Sequence, residues 1–175
     1  MVNNDLPKVD VTYGTKRTGI RSYRSATIFF SSIAKSNNKS IEVVNLNGET
    51  FVSNPIKVSA RSHVLVFYDR RIRLDEVESM SLIERRDIQK CESSVGEFKK
   101  PNQSNLKTFN LILKKSHATK KSVAVFLSSG KIYKGVSINC DYDSVQIRTN
   151  SGDVVIMYNA VNRIVPLEND GSLAE

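Results

Sequence analysis

The chain has 175 residues, a formal net charge of +8 and a sequence pI near 9.5, enough length for one or two domains and a balance that favours polyanionic partners. Nothing in it approaches the ~18 consecutive apolar residues of a membrane span, and MVNNDLPKVD has no apolar core behind a basic segment, so neither a span nor a secretory signal is expected. The two cysteines, Cys91 and Cys140, lie far apart without CxxC or Cys/His spacing, which argues against a disulfide framework or a zinc site and makes a reducing cytoplasm the expected home.

Residues 1–24 are polar and carry Lys8, Lys16, Arg17, Arg21 and Arg24 against Asp5 and Asp10, the pattern of a basic flexible arm. In SATIFFSSIAKS, Ile28, Phe29 and Ile33 share one helical face and Ser25 is placed to cap a short helix. From Ser40 the period changes to two, with Ile41 and Val43 alternating up to LNGE, whose Asn47-Gly48 pair is a hairpin turn signal. SHVLVFY, RIRLDEV and ESMSLIE continue as strands, with Arg70, Arg71 and Arg73 in a solvated hairpin, and the whole of 25–84 forms a first unit.

The segment 85–103 mixes charges of both signs with Ser, Gly and Pro and has the character of a linker. A second unit, 104–168, opens at Ser104 as the cap of a helix bearing Leu106, Phe109, Ile112 and Leu113 and closing at Lys114 and Lys115, where cations suit the helix dipole. Five short β-branched strands follow: SVAVFL, KIYKGVSI, SVQIR, DVVIMY and NRIVPL. In NCDYDS the Asp141/Asp143 pair has the form of a hydrated turn, and 169–175 forms a frayed tail.

The two units repeat one another. Ser40, Gly48 and Ser62 recur 82 positions later as Ser122, Gly130 and Ser144, while Phe29, Ile33 and Lys35 recur 80 positions later as Phe109, Leu113 and Lys115. Units this small bury only about 60% of their unfolded surface and gain from self-assembly.

One helix followed by five bent strands, a glycine within the second strand and a last strand ending in Val-Pro resembles the Sm-like family, the second unit being most similar to its bacterial Hfq branch. The resemblance is carried by Gln103, Ser104, Phe109, Leu113, Lys114 and Lys115 at the start, by SVAVFLSSGKIYKG, and by Ala160, Val161, Ile164, Val165 and Pro166 at the close. It covers 103–167 well and the first unit in outline. It implies a mainly β fold with short N-terminal helices, in two tandem Sm-like units, each a helix followed by a strongly bent five-stranded antiparallel sheet or open barrel.

The resemblance further implies three RNA-contacting regions. At the rim, Lys114 and Lys115 stand at positions where the family carries basic side chains, with Lys120 and Lys121 beside them; Lys keeps the attraction for phosphate without the bidentate fork of Arg. On the distal face, Phe126 matches a base-stacking aromatic, with an ordinary core role equally open, and Lys131, Ile132 and Tyr133 follow, Tyr133 expected to be the exposed one. At the pore the family's Tyr-Lys-His is replaced: Tyr158 can take the Tyr place after a one-residue shift, but Asn159 then stands for the Lys, adding a hydrogen-bonding group without charge. Whether Asp141 or Asp143 matches the family's Asp is open from sequence.

The expected function is RNA chaperoning or post-transcriptional regulation through single-stranded RNA, on a ring in which three chains supply six units. The alternative is a structural ring scaffold with non-specific RNA affinity. No cofactor, metal or catalysis is expected, since His63 and His117 sit in non-equivalent places without a nucleophile or ligand set.

Overall fold

The computed structural model describes residues 23–36, 39–59, 61–83, 106–168 and 170–173. The arm up to residue 22, the linker and Ser104 lie outside the described residues. Tyr23 and Arg24 are described: Tyr23 is 2% exposed with its ring 5.4 Å from that of His63, and Arg24 opens helix α1 (Arg24–Ala34).

Helix α1 buries Ala26, Phe29, Phe30 and Ile33, an i, i+3, i+4, i+7 stripe. Ile28, expected on that face, falls outside the stripe and is 52% exposed. Ser25 is not the cap. Its backbone N–H donates to Asp141 Oδ2 at 2.6 Å, so a carboxylate 116 positions away satisfies the helix start.

The strands are β1 (Ser40–Asn45), β2 (Thr50–Ser53), β3 (Pro55–Ser59), β4 (Val64–Phe67), β5 (Arg71–Arg73) and β6 (Val77–Ile83), then, after helix α2 (Leu106–Thr119), β7 (Ser122–Leu127), β8 (Ile132–Cys140), β9 (Ser144–Thr149), β10 (Gly152–Met157) and β11 (Val161–Pro166). The fold is mainly β, with antiparallel pairing throughout the described strands. The large sheet has the order β11-β7-β8-β9-β10-β6-β1-β2, and β3-β4-β5 forms a second sheet. Asn54 is the single residue between β2 and β3, so the chain passes from one sheet directly into the other. Among the described residues no helix is long and apolar enough to cross a membrane.

The order of elements recurs. A 3-10 turn precedes β6 (Leu74–Glu76) and another precedes β11 (Tyr158–Ala160). Asn45 N–H bonds the Glu49 carbonyl at 2.8 Å and Gly48 N–H that of Asn45 at 2.9 Å; Leu127 with Lys131 and Gly130 with Leu127 repeat both bonds at 2.9 and 3.0 Å. Gly48 and Gly130 have φ of 86° and 87°, the left-handed conformation these turns require. In the closing strands, Glu78 and Asn162 are the extra residues at matching bulges, because Val77 and Ser79 pair with Asn45 and Val44 while Val161 and Arg163 pair with Leu127 and Phe126.

The two halves meet where β10 pairs with β6, Val154 opposite Ser81, Val155 opposite Met80 and Ile156 opposite Ser79. Alternate residues of β10 serve different cores. Val155 and Met157 join Phe29, Phe30, Ile41, Leu65 and Met80, while Val154 and Ile156 join Phe109, Leu113, Val125 and Ile164. Helix α1 packs on β9 and β10 as well as on β3, while α2 lies on β7, β8 and β11. The expected tail is not frayed over its described residues: Leu173 bridges back to Leu167, and Asp170 Oδ1 accepts the Ser172 N–H at 2.9 Å.

Gly135, in the middle of β8, is required by close approach. A Cβ there would sit 2.8 Å from both the Arg148 carbonyl carbon and Ile147 Cγ2, and against the Arg148 carbonyl oxygen. Gly135→Ala is therefore expected to cost about 3 kcal/mol, since the clash is with backbone that cannot rotate away. Urea unfolding of the variant checks this; a change within ~0.5 kcal/mol would show that the crossing of β8 and β9 is looser than described.

Candidate nucleic-acid interface

Helix α2 runs to Thr119, beyond the expected stop at Lys115. Phe109 and Leu113 are buried and Ile112 half-buried, so this stripe faces the second core. Lys114 and Lys115 are exposed one turn before the helix end rather than at it. Lys120 follows with φ of 54°, its N–H on the His117 carbonyl at 3.3 Å, and Lys121 N–H returns to Ser116 O at 3.0 Å. His117 Nδ1 lies 2.9 Å from the Ser137 carbonyl, tying the helix end to β8. All four rim lysines are thus gathered on the last turns of one helix and its cap, exposed, with Lys121 also 3.6 Å from Glu168 Oε2.

The distal set is divided between two faces. Phe126 pairs with Ile132 on β8 and with Arg163 on β11, so these three side chains share a face. The Arg163 guanidinium lies 4.4 Å from the centroid of the Phe126 ring, and Ile132 is 51% exposed. Tyr133 alternates to the other face, half-buried against the second core with its hydroxyl 3.3 Å from Ser79 Oγ of β6. Its neighbour Ile132, not Tyr133, is the outward residue. Arg163 was missed from sequence; pairing the closing strand with the first strand would have placed it beside Phe126.

Of the pore pair, Tyr158 is a core residue, 3% exposed and packed 6.1 Å from the Phe109 ring, and burial drives its phenol well above the ordinary value. Asn159 is half-buried. Asp141 is occupied as a hub: Oδ1 accepts the N–H groups of Asp143 and Ser144 at 2.8 and 2.6 Å, besides the Oδ2 bond to Ser25. Cys140, half-buried beside it, has its thiol pushed up by burial, with Lys114 opposing and Asp141 adding to the shift. Cys91 lies outside the described residues.

No protein-family model matches the chain, and no curated protein matches it. Among solved structures, the 1.55 Å crystal structure of the pleiotropic translational regulator Hfq matches over 33% of this chain and 95% of its own, with 23% identity and a TM-score of 0.31.

A buried charge lies where the halves join. Glu78, the bulge residue of β6, has a fully buried side chain, and burial raises its carboxyl above the ordinary value, opposed by the Ser129 hydroxyl and by Lys131. A group held above its unfolded value binds its proton more tightly in the folded chain. Its stabilising effect is complete below the ordinary value of 4.5 and is lost as pH rises from there through the folded value. Glu78→Gln is expected to remove that loss, leaving the variant at least as stable as the parent at neutral pH and flatter from pH 4.5 upward. Thermal unfolding across that range checks it; equal destabilisation at every pH would mean that the carboxylate is well compensated by Lys131.

Proposed function

We propose that the chain is a tandem Sm-like RNA-binding protein, one unit in each half, that assembles with further copies into a ring and binds single-stranded RNA without covalent chemistry. Three copies would supply six units, and the cytoplasm is its proposed location. The observation that carries the reading is the join of β6 to β10. One half's closing strand completes the other half's sheet, and the last strand, β11, has an outer edge that is unpaired among the described residues. The four lysines at the end of α2 support phosphate contact, and the Phe126, Ile132 and Arg163 face supports stacking of unpaired bases, worth about 1 to 3 kcal/mol per base.

A ring scaffold with only non-specific affinity is the second reading. It is favoured by the burial of Tyr158 and by the Arg163 guanidinium already lying on Phe126. Fluorescence anisotropy with A-rich, U-rich and mixed single strands at low and near-physiological salt separates the two. Selective binding that survives the higher salt supports RNA recognition, and uniform binding that vanishes supports the scaffold.

Lys114→Ala with Lys115→Ala is expected to weaken RNA binding several-fold and to reduce the salt dependence of log K by about 1.4, as for two lost phosphate contacts on a single strand. Phe126→Ala is expected to lose affinity at an unchanged salt slope, because stacking releases no counterions. Unchanged affinity in the lysine variant removes the rim from the interface, and unchanged affinity in the Phe126 variant removes the stacking face.

A further inference from the structure

Because the two halves share one backbone plan, each outward position of the second has a counterpart in the first. Val44, Glu49, Thr50 and Val52 stand where the second half has Phe126, Lys131, Ile132 and Lys134, by the same offset that brings Gly48 onto Gly130. In the closing strands Ser79 stands where the second half has Arg163, by the matching 3-10 turns and bulges.

Each determinant of the stacking face is missing from the first half. Val44 offers no ring in place of Phe126 and is 5% exposed, and Ser79, in place of Arg163, is 2% exposed. Lys131 and Lys134 are exposed cations, whereas Glu49 reverses the first charge and Val52 deletes the second. Ala124, two positions from Phe126 on the same strand face, becomes Glu42. The first half does have a guanidinium over a ring, Arg70 4.2 Å from the Phe51 centroid, but Phe51 packs edge-on against Phe67 in the core and Arg70 is tied to Glu49 and Asp69. At the helix ends the contrast is smaller: Lys114 becomes Ala34, while Lys115 and Lys121 keep exposed counterparts in Lys35 and Lys39. Residues 106–168 carry nine Lys and Arg against four Asp and Glu, and residues 25–83 seven against six, so the field that attracts phosphate also lies over the second half.

We propose that single-stranded RNA is stacked by the second half alone, at one site per chain, and that the first half is a spacer that contributes phosphate attraction at Lys35 and Lys39 but holds no base. The proposal rests on the RNA-binding reading above and is independent of how copies assemble. Its basis is what each half can offer a strand. A base needs an exposed planar face, and the phosphates beside it need cations. The second half presents both, with Phe126, Ile132 and Arg163 on one face and Lys134 in the next row of it. The first half presents a covered valine at that place, with Glu42 and Glu49 near it to repel phosphate. A strand long enough to pass several chains is then gripped once per chain, so its affinity rises with the number of chains it meets and not with the number of units.

The test is a titration of the full chain at near-physiological salt with two RNAs: a mixed-sequence single strand too short to bridge the halves, and a longer one carrying photoreactive thiouridine. The short strand is expected to saturate at one per chain, and the crosslinks of the longer one to map to peptides holding Phe126, Ile132 or Arg163. Lys134→Ala should weaken the short strand's binding several-fold. Lys35→Ala with Lys39→Ala should leave the short strand's affinity unchanged and lower only that of the longer one. Two short strands per chain, or crosslinks of comparable yield in 40–53 and 77–83, overturn the proposal and leave the RNA-binding reading standing. Binding that is uniform across sequences and vanishes at this salt removes that reading and the proposal with it.

Discussion

The structure depends on a single antiparallel pairing, β6 on β10, because β10 is where two hydrophobic cores share one strand. Side chains alternate across a strand, so Val155 and Met157 complete the first core while Val154 and Ile156 complete the second. A one-residue slip would exchange those sets and direct Asp153 toward a core, which makes the register strongly specified. The first half does not close its core alone, because Val155 and Met157 of the second half complete it. The helix cap confirms the interlock, since α1 belongs to the first half and its start is satisfied by Asp141 of the second.

Around that pairing, the two halves keep their backbone and change their polarity. The β1–β2 and β7–β8 turns match bond for bond, and the bulges at Glu78 and Asn162 match in register. Divergence lies in side chains and hairpin lengths. The ion pairs Arg73–Asp75, Arg70–Asp69 and Arg148–Asp153 have at least one strongly exposed partner each, so they hold side chains in place more than they stabilise the fold. Glu78 differs from these because its side chain is fully buried and its desolvation is met only in part by Lys131.

Much of this was legible in the sequence where the signal was local. Strand limits in the second half follow from β-branched alternation between Ser-Gly turns, and β7 begins and ends as SVAVFL predicts. The repeat itself was visible at two offsets. A third, 84 positions, appears only in the structure, because the β9–β10 hairpin is longer than the β4–β5 hairpin and shifts everything after it. What failed was non-local. Ser25 has the chemistry of a cap, yet a distant carboxylate supplies the bond. Alternation showed that Ile132 and Tyr133 face opposite ways but not which way water lies, and β6, remote in sequence, decided it by covering Tyr133.

Phe126 concentrates the functional question. Its counterpart by register is Val44, which pairs with Ser79 as Phe126 pairs with Arg163, and Val44 is 5% exposed where Phe126 is half-exposed. The difference tracks the strand edge: β6, beside Val44, is flanked by β10, whereas β11, beside Phe126, has an outer edge open among the described residues. The Arg163 guanidinium already lies over this ring, and a cation over an aromatic ring is worth about 0.5 to 1 kcal/mol at an exposed site, less than the about 1 to 3 kcal/mol of a stacked base.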